Sequence, residues 1–476
     1  MKKSPNNKHW NVMVYMAGEK SLSEECIFSL KEMYRVGTAP AVNVVVQFHS
    51  DVKDAVPRRY KIKPQPSAKK IMGGLSLLGD DDGELNNPDN VEEVLTLPGT
   101  PSVKPSGRKA TPKPLKASDP AVLMDFLHTS IDKQPDSTAR QMVIISGHAS
   151  GAVGDFLGGQ SMSLDKLRGV FEAITENLKG KKIDIVMMDS CLMSMAEVAY
   201  ELRNTVELLI GAEGFELSTG WPYHRILDTL NTEGADDSET LACSLVSKYV
   251  RYYSDYDVAG VSVDQSVCNL ALHQELADAV AVLAKVLIKG VKDSATLNRI
   301  LLAHWRAQSY NAEQYVDLWD FCQQLIENGV NDDIRAACEA VQLVIKGNPE
   351  SKEPTPFVIH SCYSGAAFQN SNGVSIYLPW AADSRKVGEF PPLKQYKGLE
   401  FHDNTKWGTF VETYLKTARR KVRNLNPDNE KELLCFIPTD ETRVGVRATP
   451  PTQKGGSGRA VKMKNPPVEF LREPCL

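Results

Sequence analysis

The chain has 476 residues, 42% of them hydrophobic and 24% charged, and its 55 basic and 60 acidic residues leave a net charge of −5. That balance provides no electrostatic footprint for nucleic acid or an anionic membrane, and no apolar run approaches the roughly 20 residues a bilayer-spanning helix needs. Nine cysteines are spread thinly from Cys26 to Cys475 without a C-x-x-C pair, which argues against a disulfide framework or a zinc site and fits a reducing, cytoplasmic setting.

The N-terminus, MKKSPNNKHWNVMVYMAG, has an apolar run too short for a signal-peptide core and suited to a first strand. Strands are expected at Asn11–Ala17, Val42–Phe48, Met142–Gly147, Ile183–Asp189 and Glu207–Ala212. Runs such as VNVVVQF and IDIVMMD are nearly continuous rather than alternating, as in strands buried on both faces. Between them lie helical patterns. Ser21-x-x-Glu24 offers a capping box for a helix carrying Ile27, Leu30 and Met33 on one side. After Cys191, residues Met195, Val198, Ala199 and Leu202 recur at helical spacing, with Ser194, Glu197, Glu201 and Asn204 on the opposite face. Strands alternating with helices predict an α/β fold with a largely parallel central sheet.

Residues 63–118 break this rhythm. The segment is rich in Pro and Gly, acidic from Asp80 to Glu93 and basic from Lys104 to Lys116, and reads as a mobile insertion. Its DDDG stretch resembles part of a calcium loop, but Leu78 occupies the first ligand position of that register, so a solvated acidic loop is the reading adopted. Residues 1–264 are expected to form the catalytic domain and 265–415 a helix-rich C-terminal lobe of the same unit. The lobe includes LADAVAVLAKVLIKG and the later strand-like GVSIYLP. Residues 424–476 read as a flexible basic, Pro- and Gly-rich tail.

Two strand ends carry the chemistry. MVIISGHASG delivers His148 just past one strand, and IDIVMMDSCLM delivers Cys191 just past another, at the expected start of a helix. Reacting groups gather at such carboxyl edges in parallel sheets. A thiol is a useful nucleophile only as thiolate, a form that a helix N-terminus and a nearby imidazole both favour. The imidazole can then protonate the leaving amine, and backbone N–H groups can hold the oxyanion. Asp189 has two compatible readings: a cap for the following helix, or a carboxylate on a pocket floor pairing with a guanidinium. His49, His360 and Cys362 read as packing residues, and Trp221, Pro222 and Tyr223 as shaping a loop.

The motifs NVMVYMAGEKSLSE, SGHASG, MDSCLMSMAEVAYELRN, GAEGFELSTGWPY, AEQYVDLWDF and NSNGVSIYLPW resemble those of the clostripain family of cysteine peptidases, in the clan that also holds caspases, gingipains and legumain. The resemblance runs to about Leu415, the insertion apart. It implies a caspase-like αβα sandwich and an endopeptidase with Cys191 as nucleophile and His148 as its partner. It also implies Asp189 as the residue that selects Arg or Lys at the cleavage site. The N–H groups of Ala149 and Cys191 are the expected oxyanion donors, and Glu213, Glu216, Ser218 and Thr219 are candidates for lining the substrate cleft. Asp317 matches a family position whose role is not readable. No cofactor or metal is expected, although some relatives use calcium. Protein or peptide substrates and a regulatory protein partner are expected; nucleic acid and membrane are not.

Two departures stand out. Ala149 replaces the glycine usual after the histidine, so a left-handed backbone there would be costly. That keeps open an alternative: a weak or inactive peptidase-like scaffold that binds basic peptides or partner proteins. The interval 149–165 contains no Lys or Arg, the first being Lys166 and Arg168 on an expected helix, so self-processing at the family's usual place is not expected. Basic sites elsewhere, Arg108, Lys109, Arg459 and the run Arg419, Arg420, Lys421 and Arg423, are candidate regulatory contacts or solvated linkers.

Overall fold

The computed structural model describes residues 10–424 except 20–21, 53–54, 64–90, 95–114, 134–137, 155, 158–160, 235–236, 311–313, 349–350, 352–355 and 381–390. Five parallel strands form its centre: β1 (Trp10–Gly18), β2 (Val42–Ser50), β5 (Arg140–Ser146), β6 (Ile183–Asp189) and β7 (Val206–Gly211). Antiparallel pairs extend it on both sides. These are β3 (Arg58–Ile62) with β4 (Val91–Glu93), and β8 (Val263–Asn269) with β11 (Val358–Ser364). The nine strands run β11-β8-β7-β6-β5-β1-β2-β3-β4.

Alternation along the strands sorts their side chains into two cores. Val12, Val14, Met16, Ile144, Ile185 and Met187 face one layer, with α1 (Ser23–Val36), α5 (Tyr223–Glu233) and α6 (Ser238–Ser254). Met13, Tyr15, Val143, Ile145, Val186 and Met188 face the other. There they meet α2 (Pro120–Asp132), α3 (Leu164–Asn177), α4 (Ala196–Leu202) and the C-terminal helices α7 (His273–Gly290) to α13 (Trp407–Asn424). This is the αβα sandwich expected from the motifs. Within that group, α8 (Ser294–Arg306), α9 (Leu318–Glu327) and α10 (Asp332–Lys346) pack beside α7. A small sheet of β9 (Ser309–Tyr310), β10 (Tyr315–Asp317) and β12 (Ser375–Tyr377), in the order β12-β10-β9, joins this layer. The short α11 (Pro391–Tyr396) and α12 (Glu400–Thr405) precede α13.

The structure differs from the sequence reading in four places. The boundary at 264/265 falls inside β8, and β11 adds a second C-terminal strand to the main sheet. Residues 91–93 of the expected mobile insertion form an edge strand on β3; the DDDG stretch lies outside the described residues. Helix α1 begins at Ser23 with Leu22 as its unassisted cap and leaves Ile27 exposed, while the Ser23 hydroxyl donates to Gly18 O at 2.8 Å. Helix α13 continues to Asn424, placing the basic run 419–423 within it; residues 425–476 lie outside the described residues.

Candidate active site

Strand register puts the two chemical groups side by side. In the parallel β5–β6 ladder Ser146 pairs with Asp189, and Gly147 N–H donates to Asp189 O at 3.1 Å. His148 and Cys191 each follow by two residues, so both leave the same edge at the same height. Cys191 is buried at 2% exposure, whereas His148 is half-buried.

Cys191 does not start a helix. It lies in a turn after β6, and α4 begins five residues later, capped by Met195. The helix-dipole contribution expected at the thiol is therefore absent, and Asp189 is not a helix cap. The thiol is instead held by the backbone of Glu216, whose N–H donates to Cys191 Sγ at 3.3 Å and whose carbonyl oxygen accepts from it at 3.9 Å. The turn needs Leu192 at φ +62°, a left-handed conformation costing a branched side chain about 1 kcal/mol or more. Hydrogen bonds from Leu192 N to Gly214 O (2.9 Å) and Ser194 N to Ala212 O (2.8 Å) hold it there.

The loop after His148 is anchored by the C-terminal layer. Tyr315 Oη donates to Ser150 O at 2.6 Å, and Gly151, at φ +75°, leaves room for that ring, which a Cβ would approach to 2.7 Å. Ala149 does not adopt a positive φ, so the substitution of the usual glycine carries no strain. Its bridge to Phe156 is bounded by the Leu157 N to His148 O bond, a pattern that uses the flanking groups and not the Ala149 amide.

Beside the thiol opens a narrow cleft lined by Glu25, Gly147, Asp189, Cys191, Glu216 and Ser218–Gly220 among others, with no Lys or Arg among the described residues of its lining. Asp189 accepts from Tyr223 Oη at 2.9 Å. Gly220, at φ +65°, passes close enough that a Cβ would sit 3.4 Å from Asp189 Oδ2. Thr219 Oγ1 lies 2.8 Å from Tyr253 Oη, which also donates to Gly220 O at 2.5 Å, so α6 fixes the cleft loop. Glu216 is held by Trp221 Nε1, 3.0 Å from both carboxyl oxygens, and by Gln265 Nε2.

A sequence profile of the clostripain family matches residues 14–414. The chain belongs to the clostripain family. It is a cysteine peptidase, and its substrates are proteins or peptides. A secreted C11 cysteine protease from Bacteroides thetaiotaomicron, solved with an irreversible peptide inhibitor, shares its fold at TM-score 0.57 and 16% identity over 84% of this chain and 99% of that one. An inactive zymogen C11 protease from Parabacteroides distasonis gives TM-score 0.55 and 16% identity over 84% and 98%. A second secreted C11 protease from Bacteroides thetaiotaomicron, "iotapain", gives 0.52 and 12% over 85% and 99%. No curated protein matches the chain. Among the described residues no helix is long and apolar enough to cross a membrane.

Of the candidate cleft residues in the peptidase, Asp189, Glu216, Ser218 and Thr219 line the cleft and Glu213 does not. Glu213 is fully buried, accepts from Gly373 N–H on Oε2 and abuts Asp317 and Asp264. The reason is local: Asp264 on β8 accepts from the Glu213 and Gly214 amides at 2.7 and 3.0 Å, turning that part of the loop inward. Asp317 caps α9 through Asp320 N–H at 2.6 Å and accepts from Asn372 N–H at 2.5 Å, a structural role. His49 is buried against Tyr15, with rings 5.1 Å apart, and burial lowers its pKa to about 4. His360 and Cys362 contact each other and Ser247 on the edge strand β11, away from β5 and β6. Sequence reasoning gave Tyr223 only a loop-shaping part and assigned nothing to Gln265; in the structure they contact Asp189 and Glu216. The one usable signal was the GWPY motif that carries Tyr223.

Proposed function

We propose that the peptidase cleaves protein chains after Arg or Lys through a Cys191–His148 dyad. The observation that carries this reading is the acidic cleft, with Asp189 and Cys191 in one lining and His148 leaving the adjacent strand at the same height. Asp189 receives the cationic side chain and sets the scissile carbonyl over Cys191 Sγ. The thiolate adds to the carbonyl carbon, and the amides of Ala149 and Cys191 take up the negative charge on oxygen. His148 protonates the leaving amine as the C–N bond breaks, then draws a proton from the water that hydrolyses the thioester.

The absence of Lys and Arg from 149–165 supports control by a partner or ligand rather than by cleavage in that interval. Lys166 and Arg168 lie on α3, where Arg168 ion-pairs with Glu201 and, at 3.1 Å, with Glu400, a poor setting for proteolysis. Among the described residues Cys243, Cys268, Cys322, Cys338 and Cys362 form no disulfide, which suits a reducing, cytoplasmic environment. The test is turnover of fluorogenic peptides ending in Arg, Lys or norleucine by the full chain. Arg and Lys substrates should be cut and the norleucine one spared, with Cys191→Ala abolishing the rate by at least about 10⁴-fold. Cleavage that survives in Cys191→Ala, or that favours norleucine, overturns the proposal.

A further inference from the structure

The chain after His148 folds back on itself as a short hairpin. Leu157 N–H donates to His148 O at 2.8 Å and Ala149 bridges Phe156, so His148 stands at the hairpin's open end. Its closed end is gripped from the C-terminal layer. A phenol carries a single proton. That of Tyr315 goes to Ser150 O at 2.6 Å, with Val153 O at 3.3 Å as a second acceptor, so one hydroxyl ties both ends of the turn together. The Tyr315 ring is fully buried, its centroid 5.9 Å from that of Tyr377, and it presses against Gly151, whose φ of +75° turns the backbone past it.

Tyr315 lies on β10, and the neighbouring strand β12 holds the segment that follows the thiol. Tyr315 pairs with Tyr377 in this antiparallel ladder. On β12, Ser375 N–H donates to Ser194 O at 2.9 Å and Ser375 bridges Met195, three and four residues past Cys191. The two gripped segments also meet directly, through Ala152 N–H donating to Met195 Sδ at 3.3 Å. The β5–β6 register sets the height at which His148 and Cys191 leave the main sheet. Beyond that edge, adjacent strands of the small sheet hold the chain just after the imidazole and just after the thiol.

We infer that Tyr315 is a positioning residue for His148, holding through the turn at Ser150–Val153 the orientation in which the imidazole gives its proton to the leaving amine. This inference rests on the reading of Cys191 and His148 as a dyad. It adds that the accuracy of proton delivery is set from the C-terminal layer, by a side chain buried beneath the loop. Loss of the hydroxyl leaves both carbonyls without this donor and lets the turn relax, so the imidazole spends a smaller share of its time aligned. Proton transfer depends steeply on that alignment; addition of the thiol to a carbonyl whose leaving group needs no proton depends on it far less.

The test gives the full chain two substrates with the same acyl-arginine and different leaving groups. One is an aminomethylcoumarin amide, whose nitrogen must be protonated to leave; the other is a benzyl thioester, whose sulfur leaves as an anion. On each, kcat/KM reports the acylation step. Tyr315→Phe should lower it by about tenfold or more for the amide and by no more than about twofold for the thioester. A role in stability alone, acting through the amount of folded protein, lowers both alike. Equal losses on the two substrates, or an undiminished rate on the amide, overturn the inference. Gly151→Ala disturbs the same contact from the loop side, since its Cβ would lie 2.7 Å from Tyr315 Cζ, and it should show the same bias against the amide. Should Tyr315→Phe fail to fold by circular dichroism, Gly151→Ala decides, and a loss without bias overturns the inference. If His148→Ala keeps the parent rate on the amide, the dyad reading fails instead, a result distinct from these.

Discussion

Glu213 and Glu216 stand three residues apart on the loop after β7, and both are buried, yet they belong to different regions. Glu213 points into the seam with the C-terminal layer, where Gly373 N–H, Asp264 and Asp317 surround it. Glu216 lines the cleft, with its donors Trp221 and Gln265 behind it. The difference shows what makes a buried acid structural or functional. A carboxyl enclosed on every side, as Glu213 is, serves the fold, whereas one with an open side facing a cavity can meet what enters.

The first way to break this division is at its functional end. Asp189→Asn should lower kcat/KM for Arg and Lys peptides by about 30-fold or more, through loss of a buried charge that meets the substrate cation. Its thermal midpoint should stay close to that of the parent protein. A comparable loss for norleucine peptides would place Asp189 outside the specificity pocket.

The structural end should show the reverse. Asp317→Ala removes the cap of α9 and the acceptor for Asn372, and should destabilise the fold by about 2–4 kcal/mol in denaturant titration. The selectivity of the protein that remains folded should be unaltered. A change in Arg/Lys preference without a loss of stability would join the two regions.

The acids of the seam also give the fold a pH dependence. Burial raises Asp317 to about 7 and Asp264 to about 6, above the ordinary value of 3.8 that each regains on unfolding. The folded state therefore holds more protons between those limits. Their stabilising share is complete below about pH 4 and is lost as pH rises through about 7. Asp317→Asn should flatten that part of a stability-against-pH curve, whereas Glu216→Gln should leave the seam's share intact. The smallest effect is expected at Ala149. Because its backbone does not need a positive φ, Ala149→Gly should change kcat/KM by no more than about threefold.

The central strands were legible because each is apolar on both faces: Ile183–Asp189 matches as predicted, and the others agree within a few residues. The positions of His148 and Cys191 followed from those strand ends. Strand β8 was not legible as the edge of a domain because VDQSVCN reads as polar. Its Asp264 and Ser266 are buried yet satisfied by the amides of Glu213 and Gly214 and by Gly373 O, partners remote in sequence. The polar face of α4 is buried by equally remote partners: Glu197 accepts from Tyr377 N–H and Tyr396 Oη, and Glu201 from Phe401 N–H. The left-handed turn at Leu192 has no sequence signal, since nothing in leucine favours that conformation.

The segment just past the nucleophile is finished by residues made much later. Ser375 N–H donates to Ser194 O at 2.9 Å, and Tyr377 N–H to Glu197 at 2.9 Å, some 180 positions along the chain. A ribosome that has released the chain only through Cys191 has therefore made the nucleophile without its supports. The contacts from residues 375–377 can close over the start of α4 only after that late segment has emerged, so this part of the nucleophile's surroundings is completed long after Cys191 itself is made.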